Sequence, residues 1–321
     1  MSSPIISLKG LTKHYGSLKA VDDLNLDVQK AEIFGLLGPN GAGKTTSILM
    51  MLGLTEPSSG TAHVCGYNAT SNPISVKKKV GYMPDNLGFY DQMSALENLV
   101  YIGRLNGLVE TKVKARAIEL LELLGLKDVM HKKTGTFSRG MKQRLGLADV
   151  LIKEPEVIIL DEPTLGIDPA GVKDFLALIK QLSKQQGLTV LLSSHHLHQV
   201  QQVCDRVGIF VNGKLLAQGN IDTLSQSLFG TDAFVTTINL AQAVPQPWPL
   251  EAELKQFDAL KKIMIHDQEI EFTCSREFTA PLVRFLVEKG YDILGVHQKS
   301  YGLDEIYQKY FESNSINQTK P

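Results

Sequence analysis

The sequence predicts an α/β fold, in which a core with a phosphate-binding loop carries a helical insertion and is followed by a small α+β domain. The stretch GPNGAGKTT follows an apolar run and precedes a helical pattern, as a phosphate-binding loop requires. Continuous apolar runs at residues 157–160 and 189–192 are typical of buried parallel strands. Before the first of these runs, apolar residues recur at helical spacing, which predicts the insertion.

Length and composition are those of a globular protein with a sizeable core. The chain has 321 residues, enough for two domains, of which 43% are hydrophobic and 21% charged. A formal net charge of -1 argues against a nucleic-acid partner. The chain has no apolar run as long as the 18 residues of a membrane span. Three widely spaced cysteines and an opening MSSPIISLKG without signal features lead us to expect a cytoplasmic location.

The core is expected to begin with strands and a glycine loop. We expect strands at residues 5–8 and 24–28, then a buried strand at 32–37 that runs into the loop. A helix is expected to start near Gly43 and to continue through Leu52. Strand, glycine loop and helix in this order are the context in which the phosphate-loop motif is meaningful.

The insertion is predicted to be helical. Ser94 and Glu97 have the spacing of a capping box that opens a helix. A second amphipathic helix is expected to end at Gly125. These patterns place a nucleotide-binding domain at residues 5–225, with its helical subdomain at about residues 88–152.

The sequence after residue 225 predicts a small α+β domain at residues 230–312. The expected order is strand, helix, two strands, helix and strand, followed by a last helix, at residues 233–240, 250–260, 262–266, 269–274, 279–289, 292–297 and 303–311. This βαββαβ order is that of a split βαβ unit. The polar tail at residues 313–321 is predicted to be disordered.

The glycine loop predicts a site for the phosphates of a nucleotide. Its glycines let backbone N–H groups approach the phosphates, at the N-terminus of a helix. Lys44 is expected to reach the β and γ phosphates, and the hydroxyl of Thr45 to hold Mg²⁺. The predicted nucleotide-binding residues of this loop are Gly38, Pro39, Asn40, Gly41, Ala42, Gly43, Lys44, Thr45 and Thr46.

Two acidic residues complete the predicted site. Asp161 ends an apolar run, where a carboxylate is costly unless a metal ion compensates its charge, so we expect it to bind Mg²⁺. Glu162 follows it and is placed to orient and deprotonate an attacking water. The pattern therefore predicts ATP hydrolysis.

The segment FSRGMKQR at residues 137–144 resembles the signature segment of ABC-type ATPases, usually written LSGGQ. In that family two subunits close head to tail around two nucleotides. The resemblance implies that Ser138 and Gly140 contact the γ-phosphate of ATP bound by the second subunit. It also implies an adenine-stacking role for Tyr15, a switch role for His195, and a D-loop at residues 165–168.

Three positions depart from the family pattern. Asp85 stands where the Q-loop usually has glutamine, and could bind Mg²⁺ through water with reduced turnover. Arg139 replaces the first signature glycine, and Met141 replaces the glutamine. Two orientations of Arg139, toward phosphate or into solvent, are left open. These departures resemble ATPases of the type-2 ABC permease class, and the Q-loop stretch and the ending LDEIYQKYFE are similar to the ATPase subunits that serve copper-site maturation of nitrous oxide reductase.

The resemblance implies an ATP-binding and ATP-hydrolysing subunit of an ABC transporter. Such a subunit acts as a homodimer with ATP and Mg²⁺, on an integral membrane permease at the cytoplasmic face of the membrane. Phe89 and Tyr90 are then either core residues or contacts to the permease. The α+β domain would have a regulatory or dimer-stabilising role.

Two other functions are open from the sequence alone. One is a soluble ABC ATPase that acts on ribosomes or DNA. The other is a nucleotide-gated binding module with little turnover, which the departures at Asp85, Arg139 and Met141 would favour. A metal site formed by His195, His196 and His198 is the weaker interpretation of that segment, because no cysteine or carboxylate cluster completes it.

Overall fold

The computed structural model describes residues 3–229, 234–245, 247–299 and 303–317. The chain divides into two compact units, Met1–Gly219 and Asn220–Pro321. This boundary lies before the predicted domain end at residue 225, so the helix at Ile221–Phe229 belongs to the second unit.

The first unit mixes strands and helices along its length. Its strands are β1 (Ile6–Tyr15), β2 (Leu18–Val28), β3 (Ile33–Leu37), β4 (Ser59–Val64), β5 (Tyr67–Asn68), β6 (Val80–Met83), β7 (Val157–Asp161), β8 (Thr189–Ser194), β9 (Arg206–Val211) and β10 (Lys214–Gly219). Its helices are α1 (Lys44–Met51), α2 (Pro73–Lys79), α3 (Ala95–Leu105), α4 (Glu110–Leu123), α5 (Arg139–Leu151), α6 (Pro169–Gln186) and α7 (Leu197–Gln201). Two short 3₁₀ turns, Lys127–Val129 and Thr134–Thr136, join α4 to α5.

A six-stranded sheet in the order β10-β9-β3-β8-β7-β6 forms the centre of this unit. Neighbouring strands from β9 to β6 pair in parallel, and β10 pairs antiparallel with β9. All residues of β3, β7 and β8 are buried, so the two apolar runs are parallel core strands, as predicted. The carboxyl ends of these three strands meet at one edge, where open α/β sheets bind ligands.

A second sheet of the first unit, in the order β2-β1-β4-β5, is antiparallel. The sequence predicted strands only at residues 5–8 and 24–28, whereas β1 and β2 form one long hairpin. The expectation was too short because the pairing changes register three times, between Leu8 and Leu11, Leu11 and Lys13, and Lys13 and His14. Such irregularities interrupt the period-2 pattern from which a strand is recognised.

Three helices occupy the region predicted to be helical, α3, α4 and α5. The capping box is confirmed: Glu97 N donates to Ser94 Oγ at 3.2 Å, and Ser94 N donates to Glu97 Oε2 at 2.7 Å. Gly125 follows α4 with φ +69°, a backbone conformation that glycine adopts without strain. No helix within the described residues is long and apolar enough to cross a membrane.

The second unit has its own core and one sheet. Its elements are α8 (Ile221–Phe229), β11 (Phe234–Leu240), α9 (Glu251–Leu254), β12 (Leu260–His266), β13 (Glu269–Cys274), α10 (Thr279–Glu288), β14 (Ile293–Lys299) and α11 (Leu303–Asn317). The sheet order β12-β13-β11-β14, with antiparallel neighbours throughout, is the split βαβ arrangement that the sequence predicts.

Two expectations for the second unit were wrong. The helix expected at residues 250–260 is only the four-residue α9, because Phe257 turns into the core, where its ring lies 5.3 Å from that of Phe278, and β12 begins at Leu260. The last helix continues to Asn317, past the predicted start of a disordered tail at residue 313. Residues 318–321 lie outside the described residues.

Replacing Asp149 by Asn should stabilise the first unit at neutral pH. Burial raises the pKa of the Asp149 carboxyl from 3.8 to about 6, against the opposing charge of Lys153, which lies just past the end of α5. The raised pKa means that the fold favours the neutral carboxyl, so its stabilising contribution is complete below pH 3.8 and is lost as the pH rises through about 6. The difference between the two pKa values, 3.8 and about 6, corresponds to at most about 3 kcal/mol in the free energy of unfolding.

The measurement is urea unfolding of both proteins between pH 4 and pH 8. Asp149→Asn should have a higher free energy of unfolding at pH 8, and the gain should vanish at pH 4. Asp128→Asn, at an exposed position of the same unit, is the control and should show no such gain. An equal gain at both pH values would contradict the argument.

Candidate nucleotide-binding site

The phosphate loop connects β3 to α1 and is packed too tightly for side chains at two of its glycines. A Cβ added to Gly38 would lie 2.1 Å from the carbonyl oxygen of Phe210 in β9. A Cβ added to Gly43, which has φ +105°, would lie 2.2 Å from the carbonyl oxygen of Ala20 in β2. The glycines are therefore required by the close approach of neighbouring backbone as well as by the backbone conformation.

Lys44, the first residue of α1, is folded back over the loop. Its side chain is buried, and Nζ donates hydrogen bonds to the carbonyl oxygens of Gly38 at 2.7 Å and Pro39 at 3.2 Å. The same Nζ lies 3.5 Å from Glu162 Oε1. A buried ammonium group is stable only with such partners. Here the two carbonyl oxygens and the carboxylate of Glu162 keep the ammonium next to the phosphate loop.

Asp161, the last residue of β7, is hydrogen-bonded through its carboxylate to α1 and to β8. Thr45 Oγ1 donates to Asp161 Oδ2 at 2.8 Å, and the hydroxyl of Ser193 in β8 donates to Oδ1. Asp161 is only 2% exposed. Two of the three residues predicted to hold Mg²⁺, Thr45 and Asp161, are thus in direct contact, and a hydroxyl beside a carboxylate is a donor set that suits this ion.

Glu162 adopts a strained backbone conformation that directs its side chain into the same site. Its φ is +48°, and its N–H donates to the carbonyl oxygen of Ser193 at 3.1 Å. Glu162 Oε2 lies 2.9 Å from Nδ1 of His195. Oε1 is buried and has no hydrogen-bond partner among the described residues. The ammonium of Lys44 forms an ion pair with Oε1 at 3.5 Å without a hydrogen bond, and a water or ligand donor in the cavity would supply that bond.

His195 follows β8, and its ring faces Glu162, a contact that the sequence analysis did not predict. Its ring lies beside that of His196, at a centroid distance of 4.0 Å and an interplanar angle of 40°. His198 Nε2 lies 3.1 Å from the side-chain nitrogen of Gln202, so it belongs to the surface of α7 and not to the pair formed by His195 and Glu162.

One cavity of about 810 Å³ brings most of the predicted residues together. Tyr15 and Asp85 both line it, and both are exposed. An exposed ring at the end of β1 is available for stacking, and Nζ of Lys13 lies 5.1 Å from its centroid. The predicted residues in its lining are Tyr15, Asn40, Gly41, Ala42, Gly43, Lys44, Thr45, Thr46, Asp85, Asp161, Glu162 and His195.

Sequence reasoning missed part of this lining. Asn212 and Gly213, at the turn between β9 and β10, line the cavity, and so do residues 18–20 at the start of β2. Gly213 N donates to the carbonyl oxygen of Ala42 at 2.9 Å, which ties the turn to the phosphate loop. An Asn-Gly pair is a strong hairpin signal, so the turn could have been predicted, although its contact with the loop could not.

Ser138 and Gly140 are not part of this cavity. Ser138 caps α5, where its Oγ accepts a hydrogen bond from Met141 N at 3.2 Å. Ser138 and Gly140 line a separate cavity of about 210 Å³, together with Ile167 and Asp168 of the D-loop. The two cavities share no lining residue, so the chain does not bring its own signature segment to its own phosphate loop.

Arg139 is exposed to solvent, which agrees with one of the two orientations left open by the sequence, and it is also hydrogen-bonded within the chain. Its side chain is exposed, yet Nε donates a hydrogen bond to the carbonyl oxygen of Leu165 in the D-loop at 2.9 Å. The residue that replaces the first signature glycine is therefore bonded to another loop of the same chain.

The chain is similar to ATP-binding proteins of ABC transporters. The model of the family described as ABC transporter matches residues 21–165. The bacitracin transport ATP-binding protein BcrA of Bacillus licheniformis is 44% identical over 225 residues, which cover 70% of this chain and 72% of that protein. The uncharacterized ABC transporter ATP-binding protein YcbN of Bacillus subtilis (strain 168) is 34% identical over 318 residues, which cover 97% of this chain and 98% of that protein. A solved structure of the ATP-binding subunit of an ABC transporter matches with a TM-score of 0.63 and 30% identity, over 70% of this chain and 93% of that chain.

Replacing Ser193 by Ala should raise the Mg²⁺ concentration needed for half-maximal ATPase activity. The change removes the donor to Asp161 Oδ1 and frees the carboxylate to rotate away from Thr45. Loss of a partner that orients a metal ligand typically weakens the metal by about tenfold or more. The measurement is a Mg²⁺ titration of ATP hydrolysis.

Ser194→Ala is the matched control for this substitution. Ser194 is the next residue of β8 and equally buried, but its hydroxyl accepts from His196 N at 3.0 Å instead of contacting Asp161. Equal shifts in the two variants, or none in Ser193→Ala, would show that the Ser193 hydroxyl does not orient Asp161.

Proposed function

Because the chain belongs to the family of ABC transporter ATP-binding proteins, we propose that it powers a membrane transporter as one of two identical copies that ATP closes head to tail. The chain is an ATPase of this family. The observation that supports the dimer is the separation of Ser138 and Gly140 from the chain's own phosphate-loop cavity. In a head-to-tail pair, the signature helix of each copy faces the nucleotide held by the other.

In this proposal the larger cavity binds ATP. Backbone N–H groups of the loop and the ammonium of Lys44 hold the phosphates, at the N-terminus of α1. The exposed ring of Tyr15 stacks on the base. Thr45 and Asp161 hold Mg²⁺, with Asp85 acting through water, and the ion supplies charge neutralisation at the phosphates.

Glu162 is the proposed general base. Its Oε1 forms an ion pair with Lys44 at 3.5 Å but lacks a hydrogen-bond donor among the described residues, so in this proposal it accepts a proton from water. Its Oε2 is held by Nδ1 of His195 at 2.9 Å, which fixes the direction of the carboxylate. His195 also lines the cavity and in this role senses the γ-phosphate. Loss of phosphate would then reopen the dimer.

The permease contact is proposed for the exposed aromatic surface that follows the Q-loop. Tyr90 is 53% exposed, and its ring meets that of Tyr101 edge to face at 5.3 Å. The position of Tyr90 is fixed, because its N–H donates to Oδ1 of the buried Asn98 at 2.9 Å. Leu105, at the end of α3, is 70% exposed. An aromatic and aliphatic surface held rigidly in this way suits a short helix of a membrane protein.

This contact would place the protein at the cytoplasmic face of a membrane. The type-2 permease class is proposed because the departures at Asp85, Arg139 and Met141 resemble those of ATPases in that class. The permease selects the cargo in such transporters, and export is the proposed direction. The second unit is proposed to regulate or stabilise the dimer.

Glu162→Gln should abolish turnover while ATP binding is retained. The substitution keeps the size of the side chain but removes the base, and loss of a general base typically costs about 100-fold or more in rate. Phosphate release measures turnover, and fluorescent-nucleotide titration measures binding. Glu156→Gln, which removes an exposed carboxylate just before β7, is the control and should hydrolyse ATP normally. Turnover that survives in Glu162→Gln would exclude Glu162 as the base.

The tagged full-length protein should co-purify with a polytopic membrane protein from gently solubilised native membranes. Tyr90→Ala combined with Leu105→Ala should reduce that recovery about tenfold while ATP binding is unchanged, because exposed aromatic anchors dominate such contacts. Leu123→Ala on α4, at another exposed apolar position, is the control. Recovery of ribosomal or DNA-associated proteins without a membrane protein would reject the transporter function and favour a soluble ATPase.

A further inference from the structure

Arg139 forms a bridge between two loops that border different cavities. Its Nε donates to the carbonyl oxygen of Leu165 at 2.9 Å. The arginine side chain lies against Gly166, since a Cβ added there would be 3.0 Å from Arg139 Nε and 3.1 Å from its Cδ. Gly166 has φ +75°, so a glycine at this position serves both the backbone conformation and the room that the arginine occupies.

One end of this bridge reaches the catalytic glutamate. Leu165 lines the larger cavity together with Glu162. Leu165 N donates to the carbonyl oxygen of Glu162 at 3.1 Å, which closes a tight turn between the two residues. The Leu165 carbonyl that Arg139 contacts is therefore separated from Glu162 by a single hydrogen-bonded turn of backbone.

The other end of the bridge reaches the signature segment. Arg139 stands between Ser138 and Gly140, which line the smaller cavity. The two loops also meet beside the arginine, because a Cβ on Gly140 would lie 3.7 Å from Cγ2 of Ile167. The first turn of α5 and the D-loop thus form one contact surface with the arginine across it.

We propose that Arg139 is a positioning residue that couples the two nucleotide sites of the dimer. The proposal rests on the head-to-tail dimer described above, in which the signature segment of one chain meets the partner's nucleotide. Contact of that nucleotide with Ser138 and Gly140 would set the position of Arg139, which sets the Leu165 carbonyl and so the Glu162 turn of the same chain. In this way, nucleotide bound at one site changes the position of the catalytic glutamate at the other site.

The residue type matters for this role. A glycine at position 139 has no side chain with which to reach Leu165. Arginine offers a planar guanidinium whose Nε–H points in a fixed direction, so one hydrogen bond constrains the orientation of the whole group. Lysine could reach the same carbonyl with its ammonium group but without that directional constraint, so Arg139→Lys should restore part of the coupling.

The test compares full-length Arg139→Ala, Arg139→Lys and Lys180→Ala with the unmodified protein. Lys180 is the matched control, because it is a cation on α6 whose Nζ also donates to a backbone carbonyl, that of Gln202 at 3.3 Å. ATP-driven dimerisation is measured by sedimentation in the Glu162→Gln background. The Hill coefficient and kcat for ATP are measured with Glu162 intact.

Arg139→Ala should still dimerise with ATP, at an ATP concentration within about threefold of that of the unmodified protein, since the bond joins loops of one chain. Its Hill coefficient should fall toward one, and kcat should drop about fivefold, the effect of one lost hydrogen bond. The Hill coefficient and kcat of Arg139→Lys should lie between those of Arg139→Ala and of the unmodified protein. Lys180→Ala should match the unmodified protein in both.

The outcomes separate this inference from the proposed function. An unmodified protein that does not dimerise with ATP rejects the head-to-tail dimer and the coupling with it. Dimerisation with an unchanged Hill coefficient in Arg139→Ala, or with no cooperativity in the unmodified protein, rejects the coupling alone. Loss of dimerisation in Arg139→Ala assigns the residue to the interface itself and also overturns the coupling.

Discussion

The buried carboxylate of Asp161 is the constraint on which the rest of the nucleotide site depends. A charge at the end of a core strand is tolerated only with partners, and those partners come from two other elements. Thr45 donates from the start of α1, and Ser193 donates from the end of β8. The order β3-β8-β7 in the central sheet satisfies this requirement, because it sets the ends of three strands side by side.

The alignment of these strand ends determines which residues share the larger cavity and which residues lie outside it. The same strand ends that hold Asp161 also place Glu162 and His195 in contact across one cavity. The signature helix begins elsewhere in the chain and borders a second cavity. In the proposed head-to-tail dimer, each chain would contribute two parts to the nucleotide sites, and the D-loop and the side chain of Arg139 connect these parts within the chain.

Features encoded by local sequence could be predicted, and features that depend on distant contacts could not. The glycine loop, the capping box at Ser94 and the buried runs of β7 and β8 each have a short-range signal, and all four are present in the structure. The β1–β2 hairpin was underestimated because its register irregularities hide the alternation. The bond from Arg139 to Leu165 spans 26 residues, and no local pattern encodes it. The contact between Glu162 and His195 was not predicted, although both residues directly follow adjacent parallel strands.

The Asn212–Gly213 turn has a consequence for the energetics of ligand capture. It is hydrogen-bonded to the backbone on two sides, through Gly213 N to Ala42 and through the Gly213 carbonyl to Asp22 N at 2.8 Å. The neighbouring carbonyls of Ala20 and Phe210 confine the loop from other directions. The phosphate cradle is thus preorganised, so a nucleotide loses little affinity to the ordering of backbone. Any rearrangement on nucleotide binding is consequently expected in other parts of the first unit, because the backbone of this loop is already confined by its neighbours.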